Sequence, residues 1–86
     1  MWVVYTISHS ETKEIYIGRT NDLKRRLSEH NSGKQTSTKR KNGQWGLAYA
    51  EAYKSKEDAI DRELKLKHHG RAIQELKKRI SRSLEN

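Results

Sequence analysis

Glu63 is the residue of this sequence best suited either to hold a metal ion or to form a buried ion pair. It lies in a predicted helix, four residues after Ala59 and three after Ile60. Residues at this spacing share one helix face, so the carboxylate is expected to point inwards with the apolar residues. A buried carboxylate is costly unless it pairs with a cation or binds a metal. Glu63 is therefore a metal ligand or half of a structural salt bridge, for which Arg26 is a candidate partner.

Arg26 and His30 interrupt the apolar face of an earlier predicted helix. Arg26 lies three residues after Leu23, and His30 lies three residues after Leu27. An inward guanidinium can bind an anion, and an inward imidazole can transfer a proton near neutral pH. The simpler alternative is that Arg26 extends to solvent and that His30 is a boundary residue with its hydrogen bonds satisfied.

Two tyrosines, Tyr5 and Tyr16, lie in the middle of predicted strands. Most tyrosines at such positions serve packing and have a hydrogen-bonded hydroxyl group. The hydroxyl is also a candidate acid–base group, although a free tyrosine with a pKa near 10 is only about one thousandth ionised at neutral pH. Taken singly, the two residues favour the packing role.

The elements that must position these side chains begin with a hairpin. Residues 2–7 are rich in β-branched and aromatic types and predict a strand, and residues 14–18 predict its antiparallel partner. A helix follows, for which Thr20 or Asn21 is the predicted N-cap, with Asp22 in the first turn.

The middle of the chain contains a basic loop and a third strand. Residues 33–44 have no hydrophobic periodicity, and a loop of this length is often functional. Residues 45–53 alternate, which predicts a strand. The residues predicted to share one of its faces are Trp45, Leu47, Tyr49, Glu51 and Tyr53. The other face carries only small residues, so that a helix can approach closely. The small residues are Gly46, Ala48, Ala50 and Ala52.

Two helices complete the chain. Ser55 and Asp58 resemble a capping box and open the helix that carries Glu63, and Gly70 separates it from an amphipathic helix that extends to Leu84. The order ββαβαα predicts an α+β fold, with a three-stranded antiparallel sheet flanked by three helices. We expect a single domain that spans residues 1–86.

The charge of the chain indicates a polyanionic partner. Its 86 residues contain 19 Lys and Arg against 11 Asp and Glu, a formal net charge of +8. Nucleic acid fits such a field best, whereas a basic soluble surface with no such role is the plainer alternative.

Cysteine is absent, which excludes disulfides and thiolate chemistry. The sequence has no run of about 18 apolar residues, so we expect a soluble cytoplasmic protein without membrane contact.

Together, these residues resemble the GIY-YIG nuclease superfamily, and the resemblance covers nearly the whole chain. It is most similar to the small single-domain prokaryotic members. The first motif reads Val-Val-Tyr instead of Gly-Ile-Tyr, which preserves strand character. The matching residues, in chain order, are Val3-Val4-Tyr5, Tyr16-Ile17-Gly18, Leu23 with Arg26 and His30, and Ala59 with Glu63.

The resemblance implies a metal-dependent endonuclease whose site lies on one sheet face. Tyr5, Tyr16, Arg26, His30 and Glu63 match the catalytic positions of the family. Glu63 would hold one Mg²⁺ or Mn²⁺ ion, and Arg26 would grip the scissile phosphate. Tyr5 is favoured as the general base with help from His30, although Tyr16 fits that role nearly as well.

The expected substrate is nucleic acid, DNA rather than RNA, and DNA repair is a process that such an activity would serve. A non-cleaving nucleic-acid-binding module on the same fold is the main alternative, and a structural or protein-interaction domain is a third. Targeting would come from this small domain itself, from a homodimer or from a protein partner. The candidate phosphate contacts are Arg19, Arg25, Lys34, Lys39, Arg40, Lys41 and Arg71, and the other basic residues of the last helix are either phosphate contacts or a solvated face.

Overall fold

The protein has an antiparallel three-stranded sheet with helices on both faces, described in a computed structural model that covers residues 1–33, 38 and 42–85. The strands are β1 (Trp2–His9), β2 (Ile15–Thr20) and β3 (Trp45–Tyr53). β1 is central, in the order β2-β1-β3, and pairs antiparallel with both neighbours. The predicted α+β fold is therefore confirmed.

The helices are α1 (Leu23–Asn31), α2 (Lys56–His68), α3 (Gly70–Arg79) and α4 (Ser81–Leu84). The last predicted helix is thus divided at Ile80. Ser55 caps α2 as predicted, because its side chain accepts a hydrogen bond from the backbone of Asp58. The predicted cap of α1 is wrong: the side chain of Asp22 itself accepts from the backbone of Arg25.

The two faces of the sheet carry separate apolar clusters. On the first, here called the α1 face, Tyr5, Ile7 and Trp45 pack with two leucines of α1. On the second, the α2 face, Val4 and Ile17 pack with apolar residues of α2 and α3. Each cluster is small, as expected for a chain of this length. In the part of the chain that the structure describes, no helix is long and apolar enough to cross a membrane.

A register shift in β3 changes which of its residues face which cluster. Thr6 pairs with Tyr49, but the next residue of β1, Ile7, pairs with Leu47, so that Ala48 is an extra residue. Such a bulge reverses the alternation of side chains on the strand. The odd-numbered residues of β3 before Ala48 therefore share the face of Ile7, and the odd-numbered residues after it share the face of Thr6.

The predicted single face from Trp45 to Tyr53 is consequently wrong. Trp45 belongs to the cluster on the α1 face, whereas Tyr49 and Tyr53 pack against the cluster on the α2 face. The predicted close approach of a helix to the small residues also fails, because Ala50 and Ala52 are exposed. Alternation in sequence assumes an unbroken pleat, which this strand does not have.

Candidate active site

A chain of buried hydrogen bonds on the α1 face connects three elements. The Tyr5 hydroxyl lies 2.7 Å from Nε2 of His30, and Nδ1 of His30 lies 2.7 Å from Oγ1 of Thr38. Tyr5 and His30 are only 1% and 2% exposed. In one histidine tautomer Tyr5 donates to Nε2 while Nδ1–H donates to Thr38, and in the other both directions reverse. This arrangement can therefore pass a proton between a tyrosine and an imidazole.

Gly18 creates the space that the Tyr5 ring occupies. The two residues are directly opposite in the β1–β2 pairing. A Cβ atom at position 18 would lie 2.4 Å from the Tyr5 hydroxyl oxygen and 2.5 Å from Cζ. No side chain fits there without moving the tyrosine, so the glycine of the Tyr-Ile-Gly motif is required by the position of the first tyrosine.

Tyr16 and Arg26 both contact this chain of hydrogen bonds. The Tyr16 ring meets the His30 ring edge to face, with centroids 5.0 Å apart. Arg26 forms a 3.2 Å ion pair with Glu29 one turn along α1, and it also interacts with the Tyr5 hydroxyl. Because its side chain is 25% exposed, the guanidinium remains reachable from solvent.

Glu63 reaches this region from α2 and is held by two cations. Its Oε1 lies 3.0 Å from Nη1 of Arg19, and its Oε2 lies 2.9 Å from Nζ of Lys67. The glutamate side chain is 13% exposed, which agrees with the predicted inward position. Of the two alternatives, the ion pair is thus formed, but with Arg19 and Lys67 and not with Arg26.

The donor set at Glu63 is compatible with Mg²⁺ or Mn²⁺. Among the described residues, no group of three or more His, Cys, Asp or Glu side chains could enclose an ion. Mg²⁺ does not need such a cage, since it retains several waters and takes one or two carboxylates together with substrate phosphates. A single glutamate fits that pattern.

Burial keeps both proton-transfer groups neutral near pH 7. Burial raises the pKa of Tyr5, and nearby Tyr16 and Glu63 raise it further. The hydrogen bond and charge of Arg26 lower the pKa of Tyr5, but burial outweighs them. The pKa of His30 is lowered, by burial first and then by the charge of Arg26. Tyr5 is therefore a hydroxyl and His30 an uncharged imidazole at neutral pH.

The five predicted catalytic positions converge on one region of the fold. Tyr5, Tyr16 and His30 are in contact, while Arg26 and Glu63 are close enough to shift the pKa of Tyr5. Of the predicted phosphate contacts, Arg19 lies at Glu63, Arg25 is exposed on α1, and Arg71 is exposed and pairs with Glu75 at 3.3 Å. The predicted contacts Lys34, Lys39, Arg40 and Lys41 lie outside the described residues.

Two residues of this region are absent from the sequence-based site. Lys67 follows Glu63 by four positions, a spacing that predicts a helical ion pair and could have identified it. Thr38 lies in the basic loop, where no periodicity distinguishes it from its neighbours. Only the fold shows that its side chain meets His30.

The fold and the motifs both have counterparts among known proteins. The chain is 43% identical over 60 residues to a UPF0213 protein of Streptococcus pneumoniae, an alignment that covers 70% of this chain and 61% of that protein. A UPF0213 protein of Halobacterium salinarum is 36% identical over 72 residues, which cover 84% of this chain and 92% of the relative. The chain thus spans about three fifths of the S. pneumoniae relative, but nearly all of the archaeal one.

The solution NMR structure of a UPF0213 protein from Bacillus halodurans is also similar. It is 34% identical in sequence, covers 88% of this chain and 81% of its own, and superposes with a TM-score of 0.53. Residues 1–80 match the family described as the GIY-YIG catalytic domain. As its motifs predict, the chain belongs to the GIY-YIG family, a nuclease superfamily.

Proposed function

We propose that this chain is a metal-dependent endonuclease that hydrolyses phosphodiester bonds of nucleic acid, DNA in preference to RNA. The observation that carries the proposal is the 2.7 Å contact between the Tyr5 hydroxyl and Nε2 of His30, in a region that also contains Arg26 and Glu63. A proton acceptor, an anion-binding group and a carboxylate are the parts that phosphodiester hydrolysis requires.

Tyr5 and His30 activate the attacking water by a relay. Because burial raises the pKa of Tyr5, the residue works as a hydroxyl and not as a free phenolate. It accepts the proton of the water while it passes its own proton to Nε2 of the neutral His30. Nδ1–H of His30 then donates to Thr38, which keeps the imidazole in the required tautomer. Tyr16 orients the water or the phosphate. In the alternative mechanism the two tyrosines exchange roles, so that Tyr16 accepts the proton and Tyr5 orients the water or the phosphate.

Arg26 and Glu63 act on the phosphate side of the reaction. The guanidinium of Arg26 binds two phosphoryl oxygens in a forked contact and stabilises the charge that develops on them. Glu63 holds one Mg²⁺ or Mn²⁺ ion. The bound ion would neutralise phosphoryl charge and assist the leaving oxygen.

A basic groove on the α2 face is a second region suited to the substrate backbone. It lies between α2 and α3 and has a volume of about 500 Å³. Its lining includes Lys65, Arg71 and Arg79 together with Glu75. Contacts of this kind position a nucleic acid without reading its sequence. We also propose that the protein is cytoplasmic, that it serves DNA repair, and that a homodimer or a protein partner contributes to targeting.

Cleavage assays with matched variants test the proposed function. Labelled branched, single-stranded and duplex DNA, and RNA, are incubated in Mg²⁺, Mn²⁺ or EDTA with the wild type, Glu63→Ala and Arg26→Ala. We expect cleavage that needs metal and falls by at least about 10²-fold in each variant.

Each other outcome has a definite meaning. Cleavage that is unchanged in Glu63→Ala would exclude the assigned site. Salt-dependent binding without cleavage would favour the non-cleaving nucleic-acid-binding module, and the absence of salt-dependent binding would favour a protein-interaction domain.

A further inference from the structure

Lys67 contacts both Glu63 and the Tyr16 ring. Its Nζ lies 2.9 Å from Oε2 of Glu63 and 5.5 Å from the centre of the Tyr16 ring. The ammonium therefore connects the carboxylate to an aromatic ring that itself lies against His30. The other carboxylate oxygen, Oε1, is bonded to Arg19 and not to Lys67.

The two cations at Glu63 are held differently. The Arg19 guanidinium lies 5.9 Å from the Trp2 ring centre, and its Nε is buried, so moving it would disturb packed structure. Lys67 has a 36% exposed side chain, and its Nζ moves on a flexible four-carbon chain. Of the two, Lys67 is the cation that can leave the carboxylate at little cost.

We propose that Lys67 competes with the divalent metal ion for Oε2 of Glu63 and so sets the metal affinity of the site. The inference rests on the proposed function, because it concerns the ion that Glu63 would hold. A metal bound at Oε2 cannot share that oxygen with an ammonium 2.9 Å away, since two cations at such a distance repel each other. Lys67 must therefore swing out before the ion binds, and its charge becomes free for a substrate phosphate.

Metal binding without nucleic acid measures this competition directly. Mn²⁺ is titrated into the wild type, Lys67→Met, Lys67→Arg and Lys65→Met, and free Mn²⁺ is read by electron paramagnetic resonance. We expect Lys67→Met to bind Mn²⁺ about three- to tenfold more tightly than the wild type, which corresponds to losing one partly exposed ion pair and its charge. Lys67→Arg, which keeps the charge, should bind no more tightly than the wild type.

Lys65→Met is the control for charge alone. It removes the same unit charge from α2, but residues two apart do not share a helix face, so Lys65 is not aimed at Glu63. We expect its Mn²⁺ affinity to change by less than about twofold, and the difference from Lys67→Met should persist at high salt, which screens exposed charges. Thermal unfolding of each variant verifies that it is folded.

Failure of the inference can be distinguished from failure of the proposed function. If the wild type binds Mn²⁺ through Glu63, as shown by loss of binding in Glu63→Gln, but Lys67→Met binds no more tightly, the competition is refuted and the metal site stands. If Lys65→Met matches Lys67→Met, the effect is general electrostatics and the competition is also refuted. If neither the wild type nor Lys67→Met binds Mn²⁺, both proposals fall.

Discussion

Glu51 on β3 and Glu63 on α2 are both largely buried carboxylates, with side chains 16% and 13% exposed, but their partners differ in number and kind. Glu51 accepts two hydrogen bonds from Arg62, at 2.9 and 3.1 Å. It accepts two more from the hydroxyl groups of Tyr49 and Tyr53. Among the described residues, Glu63 accepts one hydrogen bond from Arg19 and one from Lys67.

The charge state of Glu51 reflects this set of donors. Burial raises the pKa of its carboxyl, but the hydrogen bonds from Arg62, Tyr53 and Tyr49 outweigh burial and leave the pKa lowered. In return, burial and Glu51 raise the pKa of Tyr53 to about 12. The cluster is a closed network in which every member stabilises the others.

The contrast shows that burial of a carboxylate does not by itself mark a functional site. Glu51 accepts a forked contact from an arginine and hydrogen bonds from two neutral hydroxyl groups. Its lone pairs are therefore occupied, and replacing one of these donors by a ligand would be costly. Glu63 has single contacts, one of them from an exposed lysine, and can exchange a partner at low cost. We infer that the number and mobility of the donors, not exposure, distinguish the structural carboxylate Glu51 from Glu63, the proposed metal ligand.

The largest expected effect concerns the tyrosines attached to the two regions. Tyr5→Phe removes the hydroxyl at His30, and Tyr53→Phe removes a hydroxyl at Glu51. Each change leaves a buried polar partner short of one bond, and each should lower the free energy of unfolding by about 1–3 kcal/mol. Only Tyr5→Phe should also reduce cleavage, by about 10²–10⁴-fold, because only Tyr5 lies on the proton relay.

Cleavage rates at saturating metal, together with urea unfolding, measure both quantities for the two variants. An equal loss of cleavage in Tyr53→Phe, after correction for the folded fraction, would contradict the separation of the two regions. Retention of full cleavage in Tyr5→Phe would transfer the relay role to Tyr16.

The smallest effect is the pH dependence of stability that His30 contributes. Its pKa is lowered by burial and by Arg26, so the unfolded chain takes up the proton first as pH falls. Stability is therefore complete above the unfolded pKa of about 6.5 and declines as pH falls through 6.5 towards the lower folded pKa. The free energy of unfolding should decrease between pH 7.5 and pH 5.5, and His30→Gln should show a smaller decrease.

His68→Gln is the matched control for this titration, since His68 is exposed at the end of α2. It should keep the pH dependence of the wild type. If the free energy of unfolding of the wild type does not change between pH 7.5 and pH 5.5, burial does not lower the pKa of His30 as described.

Much of the fold and the site could be predicted because they depend on local sequence patterns and motifs. The hairpin, the three-stranded sheet and the capped α2 helix follow from β-branched runs and a Ser-x-x-Asp signal. The positions of Arg26, His30 and Glu63 followed from polar residues on apolar helix faces. Inward placement is observed for His30 and Glu63, whereas the Arg26 side chain is 25% exposed. The catalytic roles of all three stay predictions.

What could not be predicted depends on contacts between distant parts of the chain. The bulge at Ala48 reverses the alternation of side chains along β3. An alanine at that position does not predict a bulge. The same reversal brings Glu51 to Arg62 and leaves Ala50 exposed. The contact between Thr38 and His30 joins residues eight positions apart outside a common helix or strand, so that no periodicity in the sequence predicts it.

The most direct test of the account compares Glu63→Gln with Glu51→Gln, by measuring both the free energy of unfolding and the cleavage rate of the folded protein. For Glu63→Gln, we expect cleavage to fall by about 10³-fold or more and the free energy of unfolding to change by less than about 1 kcal/mol. For Glu51→Gln, we expect a loss of about 2–3 kcal/mol in stability with cleavage per folded molecule retained. If Glu63→Gln cleaves like the wild type, or loses cleavage only in proportion to its unfolded fraction, the assignment of Glu63 as the functional carboxylate is wrong.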